Sequence, residues 1–126
     1  MNKQAICTPN APAAIGPYSQ GIKVGDFVFV SGQLPLNPET GKFPETVSEQ
    51  TRQSILNLRA ILNAAGTDLD RVVKTTVFLQ DMNDFAAMNA VYAELFGTVN
   101  APARAAIEVA RLPKDALVEI DAVAAL

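Results

Sequence analysis

Between Thr46 and Gly66 the chain carries a helix signal with one apolar stripe, and this limits its fold more than any other feature of its 126 residues. Thr46-Val47-Ser48-Glu49 has the T-x-x-E form of a capping box, in which side chains satisfy the first unpaired amides of a helix. Ile55, Leu58, Leu62 and Ala65 then recur three and four apart, and Arg52, Gln53, Asn57, Arg59 and Asn63 take the other faces. Gly66 supplies a left-handed stop. A second helix is predicted from about Asn83, with Phe85, Met88, Val91, Tyr92 and Leu95 on its stripe and Gly97 closing it. A helix that is apolar on one stripe must bury that stripe against another layer.

Strands supply the layer. Ser19 to Val24 and Phe27 to Ser31, separated by Gly25-Asp26, read as a β-hairpin, because a two-residue turn of this kind suits the twist of paired strands. Gly32 to Pro44 reads as a loop. Val72 to Leu79 is β-branched and apolar in the manner of a buried strand. Two more strands, about Ala103 to Ala110 and Leu117 to Ala124, flank the turn Leu112-Pro113-Lys114-Asp115. The order is strands, helix, strand, helix, two strands. One domain over residues 1–126 is expected, an α+β sandwich with both helices on one face of a mixed sheet. Its other face would lie open and call for self-association. The composition points the same way, with 49% apolar and only 18% charged residues.

Charge and residue usage narrow the function. Ten Lys and Arg against thirteen Asp and Glu give a net charge of −3 with no basic block, so nucleic-acid binding by counterion release has little to work with. There are no histidines, which removes the commonest metal ligand and the commonest general base at neutral pH. No metal or cofactor is expected. Cys7, the single cysteine, excludes an intramolecular disulfide and suits a reducing, cytoplasmic setting. It has no basic neighbour in sequence to make it a thiolate. Met1 to Ile6 has neither a basic start nor an apolar stretch, and no segment approaches a membrane span. Gly66-Thr67-Asp68 and the glycines near residue 16 match no phosphate-binding spacing.

Chemistry concentrates in Pro102 to Asp121, where Arg104, Glu119 and Asp121 sit among strand formers. Strand alternation puts Arg104, Ala106 and Glu108 on one face, with Ala105, Ile107 and Val109 opposite and toward the helices. Glu119, Asp121 and Val123 likewise share a face opposite Val118, Ile120 and Ala122. Arg104 and Glu119 are thus both expected on the face away from the core. A guanidinium there suits a small anion, with a carboxylate beside it to handle a proton or water. Spacing alone more often signifies an exposed ion pair or a cross-strand charge ladder. Tyr18 could close the mouth of a pocket or simply pack at a sheet edge. Ser31-Gly32 could let a backbone amide approach a ligand or be an ordinary turn. Asn89, beside the apolar stripe of the second helix, reads first as a surface residue.

Four blocks resemble the Rid family, specifically its reactive-intermediate (enamine/imine) deaminases. They are APAAIGPYSQG at Ala11 to Gly21, SGQLPLNPETG at Ser31 to Gly41, VVKTTVFLQDMNDFAAMNAVY at Val72 to Tyr92, and PARAAIEVARLPKDALVEID at Pro102 to Asp121. The resemblance implies a chorismate-mutase-like fold and a homotrimer with its sheets packed inward and ligand clefts between subunits. It implies hydrolysis of 2-imino acids such as 2-iminobutanoate and 2-iminopropanoate to 2-oxo acids and ammonia. By position, Arg104 would clamp the substrate carboxylate and Glu119 would hold or activate water. Tyr18, Ser31, Gly32, Asn89 and the backbone at Ala106 would line the cleft. Ala106 stands where many relatives carry cysteine. Two other readings remain open: a non-enzymatic trimer that binds 2-oxo acids or regulates a protein, and an endoribonuclease, which the absence of histidine and of a basic patch disfavours.

Overall fold

The computed structural model describes residues 2–126, and its eight main elements follow the predicted order with one addition. They are β1 (Lys3–Ile6), β2 (Gly21–Val24), β3 (Phe27–Gln33), α1 (Val47–Ala65), β4 (Val72–Leu79), α2 (Phe85–Phe96), β5 (Ala103–Glu108) and β6 (Val118–Ala125). The addition is β1, which pairs antiparallel with β2 and has no alternation of its own to announce it.

Helix α1 begins and ends where its signals stand. Thr46 Oγ1 accepts from the Glu49 amide at 3.1 Å, and Gly66 adopts φ 93°, open to glycine without strain. The hairpin also forms, with Val24 opposite Phe27 around Gly25 at φ 56°. Strand β3 runs on to Gln33, past the expected end at Ser31. A bulge between Val30 and Gln33 lets it keep pairing with β6. A turn of 3₁₀ helix at Met82–Asp84 leads into α2.

The six strands form one sheet in the order β1-β2-β3-β6-β4-β5, antiparallel except for the parallel pair β4 and β5, whose connection is α2. Both helices cover the same face. Ile55, Leu58, Ile61 and Leu62 of α1 and Met88 and Tyr92 of α2 join one core with strand residues such as Val28, Val77, Leu79, Val118 and Ile120. The opposite face is open: Phe27, Phe29 and Ile107 are 45%, 48% and 45% exposed. Apolar side chains in that state are surface in search of a partner.

Two expectations about which way side chains face also fail. Asn57, expected on a polar face of α1, is buried, and its Nδ2 donates to the carbonyls of Leu34 and Leu36 at 3.0 and 2.9 Å. It is placed inward because the loop after β3 leaves two carbonyls that need a donor. Strand β5 also faces the other way. Its parallel register sets Arg104 beside Thr75 and Ala106 beside Val77, both buried under the helices, while Ile107 lies on the open face beside Phe78.

Candidate functional site

Arg104 points toward α2, and the helix is built to receive it. Its Nη1 donates to Asn89 Oδ1 at 2.6 Å, and its guanidinium carbon lies 4.8 Å from the Tyr92 ring centre and 5.5 Å from that of Phe85. Phe85, Asn89 and Tyr92 recur at i, i+4 and i+7, which aligns them on one face of α2. A guanidinium stacks on aromatic faces while its remaining N–H groups stay free to bind. Tyr92 is fixed in turn by Thr75, with 2.7 Å between the two hydroxyl oxygens, and burial raises the pKa of its phenol. No carboxylate among the described residues pairs with Arg104.

Glu119 lies elsewhere. It extends from β6 onto the open face, opposite Phe78, as the alternation of β6 predicted. Its carboxylate rests against the bare Cα of Gly32, where a Cβ would stand 3.0 Å from Glu119 Cδ and closer still to Oε2. Only glycine leaves that space. Partial burial, and secondarily the charge of Asp121 two residues along the same face, raise the pKa of Glu119. Asp121 itself is held by the Thr76 amide at 2.9 Å.

Tyr18, Ser31, Gly32 and Glu119 border one cavity of about 560 Å³, whose wall is otherwise largely apolar, with Ile15 and Phe43 prominent. Lys114 stands at its rim with φ 55°. The Ser31 hydroxyl donates to the Ser19 carbonyl at 2.6 Å, so its proton is committed to holding the chain beside Tyr18. Cys7 is exposed and lines a neighbouring cavity.

The predicted residues therefore fall into two groups. Tyr18, Ser31, Gly32 and Glu119 come together; Arg104, Asn89 and Ala106 form a second cluster on the other side of the sheet, so one copy does not join Arg104 to Glu119. The expectation of a shared face fails because Ala103, Ala105 and Ala106 make the alternation of β5 nearly neutral. A guanidinium over two rings then outweighs the rule that charge points outward. Phe85 and Tyr92 were not among the expected partners of Arg104, nor Thr75 as the partner of Tyr92, although the i, i+4, i+7 spacing of Phe85, Asn89 and Tyr92 on α2 is a usable signal.

No group of three or more His, Cys, Asp or Glu side chains that could hold a metal ion occurs among the described residues. No helix among them is long and apolar enough to cross a membrane.

The family model described as Endoribonuclease L-PSP matches residues 8–126. A RutC family protein of Pyrococcus horikoshii is 57% identical, with 97% of each chain covered. The 2-iminobutanoate/2-iminopropanoate deaminase of Escherichia coli is 54% identical over 96% of each. Among solved structures, E. coli TdcF with bound serine superposes with a TM-score of 0.93 at 47% identity, covering 98% of both chains. With nearly the whole chain aligned at more than half identity, and the same α+β sheet beneath it, this protein belongs to the Rid family.

Proposed function

We propose that this protein hydrolyses 2-imino acids, 2-iminobutanoate and 2-iminopropanoate among them, to 2-oxo acids and ammonia. The observation that carries the reading is the unpaired Arg104 guanidinium, held by Asn89 and two rings with its outer N–H groups unspent. Such a fork matches a carboxylate in two parallel bonds. The E. coli relative named as a deaminase of these two imino acids, 54% identical, supports the same chemistry. The serine bound to TdcF supports a small amino-acid-like ligand.

Glu119 supplies the other requirement. An imine carbon is already electrophilic, so orientation and a positioned water are enough. Glu119 takes a proton from that water as its oxygen bonds to the imine carbon and the C=N electron pair moves to nitrogen. From a protonated imine this gives a neutral carbinolamine. Glu119 returns its proton to the nitrogen, the C–N bond breaks and ammonia leaves, and Glu119 takes the hydroxyl proton as C=O forms and passes it to the ammonia. A carboxyl whose pKa is raised makes the better base.

Arg104 and Glu119 occupy opposite faces of the sheet, so the working cleft needs Arg104 of one copy beside Glu119 of another. The open face with its exposed Phe27, Phe29 and Ile107 supports such packing, and a trimer would close three clefts.

The test generates 2-iminobutanoate from threonine with a dehydratase and traps it with semicarbazide. Wild type should suppress semicarbazone formation, and Arg104→Ala and Glu119→Gln should not. Mixing the two variants through unfolding and refolding should restore about a quarter of wild-type activity, because each cleft then draws an intact Arg104 and an intact Glu119 independently. Failure of wild type to suppress the adduct would refute imine hydrolysis. Suppression by wild type with no recovery in the mixture would refute the shared cleft.

A further inference from the structure

The wall of the Glu119 cavity that carries Tyr18 is tied to residues 8–12 through one side chain, that of Gln20. Gln20 is 4% exposed, and its carboxamide is fully employed. Its Oε1 accepts from the Thr8 amide at 2.7 Å, and its Nε2 donates to the Thr8 and Pro12 carbonyls at 3.0 and 2.8 Å, with the Ala11 carbonyl at 3.3 Å. All four groups belong to one short stretch, residues 8–12. At the other end of the same loop, the Gln20 carbonyl accepts from the Ser31 amide at 3.0 Å and the Ser19 carbonyl from the Ser31 hydroxyl.

The loop is therefore closed at both ends, and only residues 13–18 are left to project. They carry Ile15 and Tyr18, 78% and 54% exposed, along the border of the cavity. Inside the loop one backbone bond shapes the turn, from the Tyr18 amide to the Gly16 carbonyl at 2.9 Å. Untied, a loop of this length samples many arrangements. Each restraint at its ends removes some of that freedom before ligand arrives. A carboxamide does this without titrating, so the tie holds over the range in which Glu119 changes charge.

We propose that Gln20 is a positioning residue that acts on the cleft through Tyr18: by holding residues 8–12 it sets where the Tyr18 ring stands over the bound imino acid. This rests on the deaminase reading for its kinetic consequence. The placement of Tyr18 can be measured without it.

The experiment is a double-substitution cycle on the full-length protein with Gln20→Met, Tyr18→Ala and the pair, following kcat and KM for 2-iminobutanoate together with hydrogen exchange at the Tyr18 amide. Gln20→Met should raise KM about ten-fold with kcat held within about two-fold, and in the Tyr18→Ala background it should move KM by less than about two-fold. Exchange at the Tyr18 amide should quicken roughly ten-fold. Additive KM effects, or no effect of Tyr18→Ala, would overturn the proposal. If Gln20→Met does not fold, Gln20→Glu takes its place. Its carboxylate repels three carbonyls but its neutral acid form restores one donor, so KM should recover toward wild type as pH falls, and a flat KM would count against the tie. If wild type has no deaminase activity, the functional reading fails separately. The exchange rate then decides alone, and an unchanged rate overturns the positioning role.

Discussion

The carboxylate of Glu119 fills the space that a side chain at position 32 would need. This relationship ties a residue of β3 to one of β6 across the bulge between Val30 and Gln33, and it makes Gly32 a condition for where Glu119 stands.

Gly32→Ala should separate placement from folding. The obstructing atoms are the far end of a flexible side chain, so Glu119 swings aside and the backbone keeps its course. Thermal unfolding should show a stability change within about 1 kcal/mol, while kcat falls on the order of a hundred-fold because the water is no longer held in line. A variant with full kcat would remove Glu119 from the chemistry.

Arg104→Lys keeps the charge but loses the fork and the flat face that stacks on Tyr92 and Phe85. A charge-assisted pair is worth roughly 1.5 to 3 kcal/mol, so kcat/KM should fall about ten- to a hundred-fold. Steady-state kinetics with 2-iminobutanoate would read this directly; an unchanged kcat/KM would show that geometry at Arg104 is irrelevant.

Tyr92→Phe keeps the ring beneath Arg104 and removes the hydroxyl that partners Thr75, whose side chain is fully buried. An unpaired buried hydroxyl costs about 1 to 3 kcal/mol, which urea unfolding should register, with KM nearly unchanged. Tyr92→Leu removes the stacking as well and should weaken binding of 2-oxobutanoate several-fold, measured by calorimetry.

The raised pKa of Glu119 has two consequences of known sign. Its burial and the neighbouring Asp121 penalise the charged form, so turnover should rise with pH through a value above the ordinary 4.5, and Asp121→Asn should move that limb toward lower pH. For stability, a carboxyl whose folded pKa exceeds its unfolded one favours the fold fully below about 4.5. That contribution is lost as pH rises through the folded value. Glu119→Gln should remove this part of the pH dependence, and unfolding curves at pH 4 and pH 7 would show whether it does.

Elements whose causes are local were legible from the chain. Thr46 and Glu49 are three residues apart and meet in any helix that starts there, and Gly66 stops it by its own conformational freedom. The strand Val72–Leu79 and the hairpin around Gly25-Asp26 follow from branched side chains and turn chemistry within a few residues. The alternation of β6 also held, because Val118, Ile120 and Ala122 against Glu119 and Asp121 is a strong contrast.

Where the deciding partner lies far along the chain, local pattern gave out. Asn57 turns inward for carbonyls more than twenty positions away, and Gln20 reaches back to residues 8–12. The four long blocks named the family and its candidate residues. The amino-acid sequence by itself thus determined which side chains are available and which helices and strands carry them, since propensity, capping and strong alternation act over a few residues. Only the tertiary structure decided that Arg104 faces α2 while Glu119 faces away. On an alanine-rich edge strand the choice of face is set by the parallel register with β4 and by the rings of Phe85 and Tyr92, and neither exists until the sheet and helix have come together.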